Sequence, residues 1–169
     1  MKKILAISIV MLAFTAGTFA QPFTANATAT ATIVTPLSIS HVTGTDTELS
    51  FGNIIADADG GTVAISPAGG QTLTGLTAPS IPGTISAATF TVAGMDGASY
   101  AITLPGSHTI SSGSNNMTVN GFTSNPSGTG TLTGGTQVLR VGATLNVTGG
   151  QAAGTYTNAG GFTVTVNYN

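Results

Sequence analysis

Hydrophobic and polar residues alternate strictly along the last seven positions before Asn169. Phe162, Val164, Val166 and Tyr168 fall on one side of an extended chain, and the two threonines and the asparagine between them fall on the other. This two-residue period is typical of a β-strand with one buried face. A chain end frays unless something holds it. We therefore expect this strand to pair, either within its own sheet or with another molecule.

A second alternating run lies near the start of the sequence, at residues 23–33. Its apolar positions are separated by Thr and Asn, and they are Phe23, Ala25, Ala27, Ala29, Ala31 and Ile33. Eleven residues at about 3.3 Å each would span roughly 36 Å, which is longer than an ordinary strand. The run is either the first strand of its own sheet or a donor strand that pairs with an exposed edge of a neighbouring subunit. Its length favours donation, whereas alanine favours its own sheet because it buries little apolar area.

Shorter alternating runs fill the sequence between these two ends. They predict strands at 37–42, 49–55, 62–65, 84–93, 98–104, 116–123 and 137–147. Segments 112–115 and 124–135 are rich in Gly, Ser and Asn and are predicted to be loops. Many short strands without a convincing helical period predict an all-β fold, an antiparallel β-sandwich.

The first twenty residues have the layout of a secretory signal peptide. Lys2 and Lys3 precede an apolar run at 4–14, and small residues follow up to Ala20. The expected organisation is therefore a signal peptide at 1–20, an N-terminal alternating strand at 21–35 and a sandwich domain at 36–169. We expect the chain to be exported to the periplasm, the cell surface or the medium, with no transmembrane segment left after cleavage. The absence of cysteine rules out disulfides.

Charge is scarce once the signal peptide is removed. Arg140 is then the only Lys or Arg left, against five Asp and Glu. Binding to nucleic acid needs a basic surface, so nucleic acid is excluded as a partner. A weakly charged surface gives little mutual repulsion and favours association.

The residues that could carry chemistry are few. The two histidines, His41 and His108, have no recognisable catalytic partner, and no serine lies in a nucleophile motif. Asp57 and Asp59 lack the later ligands of a calcium loop, and Asp59-Gly60 is typical of a hairpin turn. The glycine-rich run 128–134 precedes no helix that could hold a phosphate. We therefore assign no catalytic, cofactor-binding or metal-binding residue and expect a protein that is not an enzyme.

Several short motifs, taken in order, resemble a known family. They are Leu49-Ser50-Phe51-Gly52-Asn53-Ile54, Gly60-Gly61-Thr62-Val63, Val141-Gly142-Ala143-Thr144-Leu145, Gly154-Thr155-Tyr156-Thr157 and the terminal run from Phe162 to Tyr168. Their order is similar to that of domain-of-unknown-function family 4402, a group of small exported bacterial proteins. The ends of the chain also resemble spore-coat-U-like proteins and pilin subunits. The resemblance implies an immunoglobulin-like or pilin-like sandwich. The chain departs from the pattern of many pilins because it has no cysteine pair.

Two functions rank highest at this point. The first is a non-enzymatic structural subunit of a surface fibre or coat, assembled by strand exchange or by another route. Its partners would be other copies, related surface subunits and a periplasmic chaperone. The alternative is a monomeric secreted module for binding or adhesion, with carbohydrate as one ligand class.

Cleavage of the signal peptide can be tested on exported protein. N-terminal sequencing should begin at Gln21 or within a few residues of it. Exported protein that still begins at Met1 would contradict the assignment.

Overall fold

The computed structural model describes residues 23–44 and 46–169. The chain divides into two units, one ending at Thr32 and one comprising Ile33–Asn169. In the first unit, the described residues 23–32 form no helix or strand and their side chains are exposed. The expected signal peptide at 1–20 lies outside the described residues. No helix long and apolar enough to span a membrane occurs in the described part of the chain.

The second unit is all-β and antiparallel, which confirms the predicted fold class. The described residues contain no helix, and they contain these twelve strands: β1 (Ser38–His41), β2 (Ser50–Phe51), β3 (Gly61–Ile65), β4 (Gln71–Thr74), β5 (Ile85–Ser86), β6 (Ala88–Ala93), β7 (Ser99–Thr103), β8 (Ser107–Ser112), β9 (Asn115–Asn125), β10 (Thr129–Thr131), β11 (Thr136–Val147) and β12 (Thr165–Tyr168).

The strands form one large sheet and two small ones. The large sheet has the order β1-β6-β11-β3-β4, and the β8–β9 hairpin joins it through pairing of β9 with β11. A three-stranded sheet has the order β10-β7-β12, and β2 pairs with β5 in a short ribbon. The large and three-stranded sheets pack face to face, since side chains of β6 and β11 meet those of β7 and β12 in one cluster. This is a β-sandwich.

Strand β11 organises the large sheet because it pairs along both edges. Its first half pairs with β6 and its second half with β3, while β9 runs along the opposite edge. The register with β9 shifts between Gly142 and Thr144, where β9 carries one extra residue. Gly121 lies at this bulge with φ of 58°, a conformation that glycine adopts without strain.

The bulge divides the core into two clusters. Leu139 and Val141, before Gly142, pack in the cluster between the two sheets. Ala143, Leu145 and Val147, after it, pack with Val63, Val119, Met117 and Phe51 in a second cluster. All five of these β11 side chains are buried, as their alternation predicts.

The polar strands were missed by sequence reasoning. Strands β4 and β8 have the sequences QTLT and SHTISS, which contain few apolar residues. The predicted loop at 124–135 contains β10, which pairs with β7. In each case the hydrogen bonds of a neighbouring strand make the segment a strand, and local sequence does not report that neighbour.

No strand is assigned between residues 23 and 37, and the strand expected at 23–33 stays a prediction. A strand is defined by hydrogen bonds to a neighbouring strand, and the described residues supply none to this run. Pairing in its own sheet is therefore not seen. Donation to a second molecule stays a prediction.

The close approach between Gly142 of β11 and the end of β3 can be tested by adding one methyl group. A Cβ at Gly142 would overlap the carbonyl oxygen of Ile65, so Gly142→Ala should lower the free energy of unfolding by about 1–3 kcal/mol. Gly106→Ala is the matched control, because no atom lies within 4 Å of its Cβ position. Urea unfolding followed by circular dichroism measures both. Equal stability of the two variants would show that β11 can move away from β3 without cost.

Candidate functional site

The last strand has the facing that its sequence predicts. Val164 is buried, Phe162, Val166 and Tyr168 are half-buried, and the residues between them are exposed. The strand pairs with β7 over four positions, from Thr165 opposite Thr103 to Tyr168 opposite Tyr100. Its apolar side chains join the cluster between the two sheets. Its opposite edge has no strand partner among the described residues.

The hydroxyl of Tyr168 joins three distant parts of the chain. It donates a hydrogen bond to the Thr35 carbonyl oxygen at 2.8 Å and accepts one from the Met95 backbone N–H at 2.7 Å. A side chain at Gly94 would overlap this hydroxyl. The residue thus holds the segment leading into β1 against the end of β12. The sequence indicated that Tyr168 faces inward, but not which backbone groups it binds.

Tyr100, opposite Tyr168 on the neighbouring strand β7, is fully buried. Its hydroxyl donates to the side-chain oxygen of Gln137 at 2.8 Å. Burial raises the pKa of Tyr100 above its usual value of 10.0, because the charged form would lose its hydration. The hydroxyl therefore remains a hydrogen-bond donor.

A large groove opens beside the start of the last strand. Its two walls are residues 48–56, which include β2, and residues 151–162, which lead into β12. Its floor is formed by side chains of the second core cluster, including Met117, Val119 and Leu145. The groove has a volume of about 1210 Å³. Sequence reasoning did not find it, because its walls are loops that lie about 100 residues apart in the chain.

Aromatic side chains form the end of the groove next to β12. Phe162 packs edge-on against Phe90, with ring centroids 6.2 Å apart, and contacts Phe122 at 5.0 Å. Phe90 also packs against the ring of His41 at 5.3 Å. These contacts fix Phe162, so the chain enters β12 at a defined position.

Both histidines line the groove. The His41 Nε2 atom lies 3.1 Å from the Thr47 carbonyl oxygen and 3.6 Å from the Glu48 carboxylate. The Nε2 atom of His108 contacts the Asn158 side-chain amide. No serine nucleophile is hydrogen-bonded to either ring in the described residues. Within 23–44 and 46–169, no cluster of three or more His, Asp or Glu could hold a metal ion.

The turn predicted at Asp59-Gly60 is present. Gly60 has φ of 73°, and its N–H donates to the Asp57 carbonyl oxygen at 3.2 Å. The predicted hairpin around it is wrong, because Ile55 bridges to Thr77 and β3 pairs with β4 and β11. The Asp57 carboxylate accepts a hydrogen bond from the Thr77 hydroxyl at 3.1 Å, which anchors the loop.

The N-terminal candidate residues present apolar side chains to solvent. Phe23 is fully exposed, with a relative accessibility of 103%, and Ile33 reaches 98%. The alanines at 25, 27, 29 and 31 are exposed as well.

A family model described as Domain of unknown function (DUF4402) matches residues 37–168. The chain belongs to this family. The match begins one residue before β1 and ends at Tyr168, so it spans every strand of the second unit. Searches of curated proteins and of solved structures return no match. The family assignment confirms the resemblance seen in the sequence motifs.

The role of the Tyr168 hydroxyl can be tested by removing it alone. Tyr168→Phe keeps the ring but leaves the Thr35 carbonyl and the Met95 N–H without their partner, so it should cost about 0.5–2 kcal/mol of stability. Asn167→Ala, on the exposed face of the same strand, is the control and should change stability little. Urea unfolding reports both values. A Tyr168→Phe variant as stable as the control would show that the hydroxyl does not anchor the segment.

Proposed function

We propose that this protein is an exported structural subunit of a bacterial surface fibre or coat, which assembles by donating its N-terminal segment to another copy. The observation that carries this proposal is the state of residues 23–33. An alternating run with exposed apolar side chains at both ends has no strand partner in the described part of its own chain. Such a run gains hydrogen bonds and burial only when it adds to the sheet of another molecule.

The surface of the domain supports self-association. The described residues contain one cation, Arg140, and only five acids, so that copies repel one another weakly. The donor run at 23–33 carries no charge at all. Burying this run in an interface therefore places no unpaired charge in an apolar environment. Burial of such a charge would be costly.

Carbohydrate binding is the weaker alternative. A sugar ring is usually held against an accessible aromatic face. Among the described aromatic residues only Phe23 is exposed, and the rings that line the groove are buried or half-buried and packed against core residues.

The proposal predicts that charges on one face of the run, and not on the other, abolish assembly. Ala27→Asp combined with Ala29→Asp places two carboxylates on the face that would be buried. At several kcal/mol for each unpaired buried charge, the affinity between copies should fall by more than about a hundredfold. Thr28→Asp combined with Thr30→Asp adds the same charge to the opposite face and should leave assembly near the wild-type level.

Assembly is measured on exported full-length protein by analytical ultracentrifugation and by gel electrophoresis with and without boiling. Circular dichroism checks that both variants fold, as expected for exposed positions. The proposal fails if the two double variants assemble equally well, or if wild-type protein is monomeric at all concentrations.

A further inference from the structure

We propose that the groove between residues 48–56 and 151–162 is the acceptor site for residues 23–33 of a second copy, so that subunits join head to tail. This inference rests on the proposed function, because it assigns the place where the donated segment binds. Four features of the structure support it: the size of the groove, its chemistry, its unpaired backbone edges and its position in the domain.

The size of the groove suits a polypeptide. Sites for small molecules usually have volumes of about 300–1,000 Å³, whereas this groove has about 1210 Å³. The wall at 48–56 is nine residues long and can extend at most about 32 Å. The eleven residues of the donor run can therefore follow the whole wall.

The chemistry of the groove matches that of the donor. Among the described residues that line it, Glu48 is the only carboxylate and none is a lysine or arginine. The floor residues Val119 and Leu145 are already about 99% buried. These floor side chains are already packed, so an occupant does not need large side chains to complete this part of the core. A run with alanine at four successive inward positions meets this condition.

The groove is bordered by backbone that lacks a strand partner. β2 pairs with β5 on one edge only within the described residues. The groove lies along β2 and along the residues that lead into β12. An added strand would supply hydrogen bonds to such edges, and these bonds do not depend on large side chains.

The position of the groove favours a second copy over the same chain. Thr35, where the chain enters the domain, is bonded to Tyr168 at the far end of β12. The groove reaches Phe162, six residues earlier and three residues before β12 begins, a separation of about 20 Å for an extended chain at 3.3 Å per residue. Entry point and acceptor thus lie at opposite ends of the terminal run 162–168. A contact between two different surfaces can repeat from copy to copy, and it produces a filament when the rotation between copies does not close a ring.

Photo-crosslinking on assembled full-length protein tests this assignment. A small diazirine amino acid replaces Ala27, or Ala25 or Ala29 in separate preparations, and the same residue at Thr28 is the control on the opposite face. The photoreactive copy is mixed with a ¹⁵N-labelled copy that lacks the diazirine. After irradiation, chymotryptic peptides are identified by mass spectrometry, because the exported chain offers trypsin a single site.

We expect the alanine positions to crosslink mainly to ¹⁵N-labelled peptides from residues 48–56, 151–162 or the groove floor, and Thr28 to crosslink there much less. Adducts at other surfaces, adducts within the same copy, or no adducts from any of the three alanine positions would overturn the assignment. If the carboxylate variants at Ala27 and Ala29 still abolish assembly in that case, the groove is wrong but the proposed function stands. If those variants assemble normally, the proposed function fails as well.

Discussion

The hydrogen bonds along both edges of β11 are the constraint on which the rest of this structure depends. The strand pairs with β6 and β3 on one edge and with β9 on the other, so it joins the two ends of the large sheet. Its inward side chains supply both core clusters. Loss of this strand would remove the common neighbour of all three partners and would open both clusters to water.

The register shift beside Gly142 also marks the point where the cover over the core changes. Before Gly142 the large sheet faces the three-stranded sheet, and the core there is covered by β7 and β12. After Gly142 the facing material in the described residues is the short β2–β5 ribbon, the segments next to it and the loop before β12. Because two-residue strands cover little area, a groove remains over this half of the core. The open side is thus a consequence of sheet geometry.

The scarcity of charge connects the fold to the proposed assembly. A soluble domain usually limits edge-to-edge pairing with charged side chains on its edge strands. Among the described residues, one edge of β12 and one edge of β2 have no strand partner, and neither strand contains a lysine, arginine or carboxylate. Edges of this kind accept an additional strand readily, which fits the assembly proposed above.

The sequence by itself determined which residues face inward. The two-residue period at 162–168 and at 139–147 correctly indicated the buried positions, because alternation along a strand is a local property of the backbone. The family motifs also follow from sequence alone.

Tertiary structure alone decided which segments pair. The polar strands β4 and β8, the bond between Tyr168 and Thr35 and the two walls of the groove all join residues that are far apart in the chain or lack an apolar signal. The physical reason is that a side-chain period records the environment of each face, whereas pairing depends on which other strand the folded chain brings alongside.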